Sequence, residues 1–316
     1  MRAVVNPRAG GPEELRVAEV ERPEPIPTEV LVRQRAAGVN PVDWKVRRGN
    51  SYRAMLGPPP VILGWDVAGV VEEVGGGVTR FGPGDRVFGM PRFPRAARAY
   101  ADYATSASRQ LARIPDGMSF AEAGGLPLAG LTAWQSLVET AGVGPGNRVL
   151  IHAGAGGVGH LAVQIGKARG AEVVATVRAR NHGFLAGLGA DEAIDYTETD
   201  FADAVSGLDV VLDLVGGEDY GLRSLATLRE GGLLIVVPGV VAEAVAAAAR
   251  EQGKRVTSIL VEPDRAGLEA LAALYEEGRL RVEVAEAIPL ADARRAHELG
   301  EAGGLRGKLV LTPDSD

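Results

Sequence analysis

Between residues 154 and 159 the chain reads Gly154-Ala155-Gly156-Gly157-Val158-Gly159, a G-x-G-x-x-G run. Residues 149–151, Val-Leu-Ile, have the apolar character of a buried strand, and residues 158–169 read as a helix. That strand–turn–helix setting is what a phosphate-binding turn needs. The first glycine permits the tight turn, the second lets a pyrophosphate reach the backbone, and the third brings helix and strand together. The opening N–H groups and positive dipole end of the helix then face the phosphates. Gly157 and Val158 lie where a nest of such N–H groups forms. The plainer reading is a glycine-rich loop that only turns a corner. The further strand–helix units downstream favour dinucleotide binding.

A dinucleotide with a free ribose 2′-hydroxyl is met by an acid at the end of the second strand. Here that strand ends Ala175-Thr176-Val177-Arg178-Ala179-Arg180, with no acid. Thr176 leaves room for a 2′-phosphate, and Arg178 or Arg180 would neutralise it, which selects NADPH over NADH. Both arginines also read as solvated surface charges.

These residues need a particular scaffold. From residue 119 onward, short apolar strands alternate with helices: strands at 149–151, 172–177, 209–215, 233–237 and 256–261, helices near 185, 225 and 244. Such alternation means a parallel sheet covered on both faces. Ser119 and Glu122 have the spacing of a capping box at the start of this region. Residues 1–118 read instead as short strands between turns, with strands at 30–35 and 67–74 and the turn Gly82-Pro83-Gly84-Asp85. After a helix near 268–277 the short-strand texture returns at 285–289 and 308–312, which are expected to pair back with the N-terminal part.

Composition narrows the function classes. A net charge of −7 argues against a general nucleic-acid binder, which would present a basic face. The chain has no cysteine, which excludes disulfides and thiolate metal sites and fits a reducing cytoplasm. Residues 1–5 lack the pattern of a signal peptide. The most apolar stretch, 231–242, is too short for a membrane span. A soluble cytoplasmic protein with no membrane partner is expected.

Residues 146–167, GNRVLIHAGAGGVGHLAVQIGK, are similar to the cofactor-loop signature of quinone oxidoreductases, matching at Gly156, Gly157, Gly159, Gln164 and Lys167; Asn147 departs from it. The likeness continues in Gly38-Val39-Asn40-Pro41-Val42-Asp43, Leu131-Thr132-Ala133-Trp134, Gly189-Ala190-Asp191, Ile194-Asp195-Tyr196 and Arg306-Gly307-Lys308-Leu309-Val310-Leu311. It spans essentially the whole chain. The sequence thus resembles the zinc-independent quinone oxidoreductase (zeta-crystallin-like) branch of the medium-chain dehydrogenase/reductase superfamily. The resemblance implies an α/β protein with a GroES-like, partly open β-barrel catalytic domain from residues 1–118 and 280–316. It also implies a Rossmann doubly wound parallel-sheet domain at residues 119–279 that binds NADPH, an active site in the cleft between the domains, and a homodimer.

In the zinc alcohol dehydrogenases of that superfamily, the first catalytic ligand, a Cys, falls at Asn40. The His of a Gly-His-Glu triplet falls at Trp65 of Gly64-Trp65-Asp66. The four histidines, His152, His160, His182 and His297, lack ligand spacing. No metal is expected. Without a Lewis acid to ionise an alcohol, what remains is hydride transfer to a carbon whose charge delocalises unaided, as in a quinone or an α,β-unsaturated carbonyl.

The resemblance also suggests roles. Asn40 would donate a hydrogen bond to the substrate or the nicotinamide ribose, although Asn before Pro41 equally suits a turn. Tyr52 matches a pocket tyrosine that would bind the substrate oxygen or relay a proton to the developing enolate; the alternative is a half-buried aromatic under a loop. Asp43 and Trp44 flank the same pocket, with Asp43 also reading as a helix cap. Trp44 and Trp65 either wall the pocket or pack in the core. Thr132 matches a residue beside the nicotinamide, and Tyr196 one near the adenosine phosphate. The family's 2′-phosphate lysine falls at Asn181, so Arg180 would serve instead. Arg306 or Lys308 would reach the cofactor phosphates, or form a surface ion pair.

Two rival readings stand beside the reductase. An enoyl-thioester reductase for CoA or acyl-carrier substrates needs a basic rim, which Arg92, Arg95 and Arg98 would supply unless they form an ordinary solvated helix face. A non-catalytic NADPH-binding protein would keep the fold without the chemistry.

Overall fold

The strand Glu29–Val39 organises the first half of the fold. It runs antiparallel to Val67–Val74 along one edge, with Val30 opposite Val74 and Ala36 opposite Ala68. Its other edge is shared by Tyr103–Ala107 and by Lys308–Thr312, where Leu309 faces Val39. A strand with neighbours on both edges and packing on both faces must be apolar nearly throughout. Val30, Leu31, Val32, Ala36 and Ala37 are accordingly buried. The sheet continues from Val67–Val74 through Arg86–Gly89 to Leu111–Arg113 and ends there without returning to its first strand. It is therefore open, as a partly open barrel requires. A separate sheet joins Arg16–Glu19, Arg2–Asn6 and Val61–Ile62.

The structure, a computed structural model, describes residues 1–313. They divide into two compact units. One comprises Met1–Leu131, Glu262–Glu277 and the segment from Val282 onward; the other comprises Thr132–Val261 and Gly278–Arg281. Two stretches expected with the parallel sheet therefore sit with the first unit. Leu128 N, in the first turn of the helix Pro127–Trp134, donates to the Asp66 carboxylate at 2.7 Å. The hydroxyl of Tyr275 reaches Gly117 O at 3.4 Å. Of the C-terminal strands, only Lys308–Thr312 meets Glu29–Val39; Val284–Pro289 pairs in parallel with Lys308–Thr312.

In the second unit six parallel strands are ordered Glu192–Asp195, Glu172–Val177, Arg148–Ile151, Leu208–Asp213, Leu228–Val236, Arg255–Ser258. The chain winds outward from Arg148–Ile151 in one direction, then returns past it and winds outward in the other. This is the doubly wound Rossmann order, and its reversal point is where such sheets bind ligands. Leu150, Val211, Leu225, Leu234 and Phe201 form a continuous core on one face of this sheet. Leu234 is wholly buried there. Leu234→Ala is expected to cost about 2–5 kcal/mol. Guanidinium unfolding would show it as a lowered midpoint with an unchanged slope.

Candidate functional site

The glycine run leaves the first strand of the parallel sheet at Ile151. Its turn is fastened to the neighbouring strand by two bonds, Gly154 N to Thr176 O at 3.0 Å and Ala153 N to Thr176 Oγ1 at 3.2 Å. Ala153 itself has φ of 51°, in the region where a side chain is strained. Gly156 N closes the turn onto Ala153 O at 2.9 Å. The helix Gly159–Ala168 then starts against the loop. A Cβ on Gly159 would stand 2.2 Å from Ala153 O, so no other residue fits. Gly157 and Val158 immediately precede the helix, whose amides from His160 onward are bonded back to Gly156 O and Val158 O. These residues fit the pyrophosphate of a dinucleotide.

Thr176 is buried, and its hydroxyl accepts from Ala153 N while lying 3.2 Å from His152 Nδ1. It braces the turn. Arg178 and Arg180 are exposed beyond it. Arg178 Nε donates to the Tyr196 hydroxyl at 2.9 Å, so two residues singled out separately in the sequence meet. The sequence reading missed what fixes this corner. The Asp195 carboxylate accepts from Ala179 N at 2.8 Å, Thr197 N at 2.9 Å and Thr197 Oγ1 at 2.7 Å. Those bonds, led by the Thr197 hydroxyl, hold its carboxyl below the ordinary range. Thr132 is buried, and its carbonyl accepts from Ser136 Oγ at 2.7 Å.

The first unit holds a buried polar cluster. Asn40 caps the helix Pro41–Arg47 and is 1% exposed. Its Nδ2 donates to Asp66 Oδ2 at 2.8 Å, and its Oδ1 accepts from Lys308 Nζ. Its backbone N–H donates to Asp43 Oδ2 at 2.7 Å. Asp43 is therefore a cap, as the alternative reading had it, and not a pocket wall. Asp66 approaches this closely because residue 38 is Gly: a Cβ there would lie 2.3 Å from Asp66 Oδ2. Lys308 corrects the expected phosphate contact or surface ion pair. It is 4% exposed and also donates to Val39 O at 3.0 Å. Arg306 is exposed and paired with Glu283 at 2.6 Å.

A second chain of bonds adjoins the cluster. Arg47 Nη1 lies 3.1 Å from His297 Nδ1, and His297 Nε2 lies 3.2 Å from the Tyr100 hydroxyl. Arginine only donates, so His297 Nδ1 accepts and Nε2 carries the proton. Burial, then Arg47, pushes the His297 pKa down to about 3, in keeping with a neutral ring. The Tyr100 hydroxyl, accepting from His297, is left to turn its proton towards Asp43. Asp43 Oδ1 nevertheless lacks a hydrogen bond of ordinary geometry among the described residues. Burial raises the Asp43 pKa to about 7, against the opposing effects of the Asn40 N–H, Tyr100 and Lys308. Burial also raises Asp66.

The aromatic residues separate into two groups. Tyr52 is half-buried in the short helix Ser51–Leu56, its ring 6.2 Å from Phe93. Its hydroxyl makes no hydrogen bond among the described residues. Trp65 is fully buried edge-on to Phe93, and its indole N–H donates to Arg95 O at 2.8 Å. It anchors the loop beneath Tyr52 and presents no open face. Trp44 is half-buried and packs against helix Ala293–Ala302, where a Cβ on Gly300 would collide with its ring. Arg92, Arg95 and Arg98 lie in that loop and not on a helix, and Arg92 is paired with Glu29.

Residues 26–133 match the alcohol dehydrogenase GroES-like domain family, and residues 188–311 the zinc-binding dehydrogenase family. A chloroplast envelope quinone oxidoreductase homolog of Arabidopsis thaliana is 33% identical, over 98% of this chain and 97% of that protein. The chain belongs to the zinc-independent quinone oxidoreductase branch of the medium-chain dehydrogenase/reductase superfamily. The quinone oxidoreductase of Coxiella burnetii superposes with a TM-score of 0.93 at 38% identity, covering 99% of each chain. The Escherichia coli quinone oxidoreductase complexed with NADPH gives 0.89 at 31%, covering 99% of this chain and 100% of that one. In this branch member, no group of three or more His, Cys, Asp or Glu is placed to hold a metal among the described residues.

The Asp43 carboxyl yields a prediction about pH. Its pKa is raised on folding, so the folded state holds a proton that the unfolded state releases, and stability falls as pH rises from about 4 to 7. Asp43→Asn removes that contribution. Across the window, urea unfolding is expected to show the variant gaining on the parent, by about 4 kcal/mol at most. A constant difference would mean Asp43 ionises normally.

Proposed function

We propose that this protein is an NADPH-dependent reductase that transfers hydride to quinones or α,β-unsaturated carbonyls without a metal ion. The observation that carries the reading is the corner after the second strand of the parallel sheet. There Arg178, braced by Tyr196, stands exposed beside Arg180 where an NADH site would place an acid. The NADPH complex of the Escherichia coli relative supports the same cofactor. In this reading the unit that holds the parallel sheet, Thr132–Val261 with Gly278–Arg281, binds NADPH, with Thr132 beside the nicotinamide and Tyr196 near the adenosine phosphate. The other unit is the catalytic domain.

Bound NADPH supplies the hydride, and the protein supplies orientation and electrostatics. Gly157 and Val158 offer amides to the pyrophosphate. The half-buried hydroxyl of Tyr52 donates to the acceptor oxygen and passes a proton as charge develops there. Asn40 presents its remaining Nδ2 hydrogen to the substrate or ribose.

The protein is further proposed to be a cytoplasmic homodimer. The absence of cysteine supports a reducing compartment. Arg255–Ser258 is bonded on one edge only among the described residues, with Val240 and Leu260 exposed, and supports pairing with a second copy. No helix among the described residues is long and apolar enough to cross a membrane.

The test is NADPH oxidation at 340 nm against 1,4-benzoquinone, 9,10-phenanthrenequinone, an alkyl enone and crotonyl-CoA, each repeated with NADH. Turnover of quinone or enone that prefers NADPH is expected. Arg178→Ala combined with Arg180→Ala is expected to erase that preference, and Tyr52→Phe to lower enone turnover by ~10²-fold. Turnover of crotonyl-CoA alone would favour the thioester reading. Tight NADPH binding without oxidation would favour the non-catalytic one.

A further inference from the structure

We infer that Lys308 is a positioning residue for the reductase reaction: its buried ammonium fixes which end of the Asn40 carboxamide faces which neighbour, leaving one defined N–H to meet the ligand. This rests on the reductase reading of Asn40 given above.

The two ends of a carboxamide are nearly the same size, so shape alone does not choose between its two orientations. Chemistry chooses here. An ammonium has only hydrogens to give, and an ionised carboxylate only lone pairs to receive them. Lys308 Nζ faces one end of the amide and Asp66 Oδ2 the other, the latter at 2.8 Å. Turning the amide over would place its NH₂ against the ammonium and its oxygen against the carboxylate. Both contacts would be repulsive, in a place from which water is excluded.

Each arm of this clamp is itself held. Asp66 accepts through its other oxygen from Leu128 N at 2.7 Å. Lys308 donates a second time to Val39 O at 3.0 Å and comes from a strand registered on Glu29–Val39. The backbone of Asn40 is fixed by Asp43 at 2.7 Å. The cap of the helix Pro41–Arg47 is made with Asp43, whose carboxylate accepts from Asn40 N and whose N–H donates to Asn40 O at 2.9 Å; the contacts to Lys308 and Asp66 are additional to it. A methionine would fill the volume of Lys308 without desolvating a charge. What the ammonium adds is orientation: the amide has two hydrogens, Asp66 takes one, and the second points in a set direction.

The inference is tested by steady-state kinetics on Lys308→Met and on Lys308→Met combined with Asp66→Asn, alongside the parent protein. The single variant leaves a buried carboxylate without its cation and is expected to unfold more readily. The double variant carries no uncompensated charge and is expected to recover most of the stability. Both are expected to lose at least tenfold in kcat with an enone, while NADPH affinity stays within about twofold of the parent. Recovery of the parental kcat together with stability in the double variant would make Lys308 merely structural. A rise in the NADPH dissociation constant with kcat intact would return it to the cofactor phosphates. If the parent itself oxidises no NADPH, the reductase reading fails while the clamp remains measurable. Nitrogen-15 spectra, with the Asn40 side-chain signals assigned by their loss in Asn40→Asp, are expected to show in the parent one Nδ2 hydrogen moved downfield by its bond to Asp66 and slow to exchange with solvent. That signature is expected to be lost in the double variant. Parent Asn40 signals at the positions and solvent-exchange rates of an exposed carboxamide would overturn the clamp.

Discussion

One ammonium taken out of water governs the first unit of this protein. Lys308 lies among Asn40, Asp66 and the carbonyl of Val39, with Asp43 close enough to feel its charge. Burying such a group is unfavourable unless every donor finds an acceptor, and breaking the set leaves an uncompensated charge. The surrounding geometry follows from that demand. The C-terminal strand must keep its register on Glu29–Val39, residue 38 must be Gly to admit Asp66, and Leu128 must present its amide to the same carboxylate. Burial lowers the lysine's affinity for its proton and raises that of both carboxyls, and the contacts of Asp43 and Asp66 with Asn40 and the charge of Lys308 act against that.

The second unit solves a different problem by different means. A pyrophosphate needs backbone amides with nothing else to bind, which requires a turn too tight for side chains. Gly159 meets that requirement by contact with Ala153 O, and Thr176 braces the turn from the neighbouring strand. Ala153 is the exception, carrying a side chain at a left-handed φ. The bonds on either side of it, from Ala153 N and to Ala153 O, hold it there.

The fold was largely legible in the sequence because its signals are local. Strand 172–177 and the capping box at Ser119 and Glu122 appear where hydrophobic pattern and cap spacing place them. The helix Ala293–Ala302 was not anticipated, since its buried face is made of Ala293, Ala296 and His297, too small and too polar to register as an apolar stripe. The site was legible in part. Arg178 and Tyr196 meet, and Asp43 caps its helix. Thr176 and Lys308 are buried and bonded within the protein, Trp44 packs on a helix, and Trp65 anchors a loop. Nothing in a sequence says which side of a strand or loop a polar residue faces when its partner lies hundreds of positions away, as Lys308 and Asn40 do. The one early trace was Asp66, standing two residues past Gly64 in the triplet that lacks its histidine.

In the function proposed above, amides and a tyrosine hydroxyl would take the place of a Lewis acid in hydride transfer. The most direct test is reduction of an alkyl enone by 4-deuterated NADPH, using protein treated with a chelator and freed of metal. The account predicts full activity and a saturated product carrying deuterium at its β-carbon, read by mass spectrometry. Loss of turnover on removing metal, or a product without deuterium from either stereoisomer of the labelled cofactor, would contradict it.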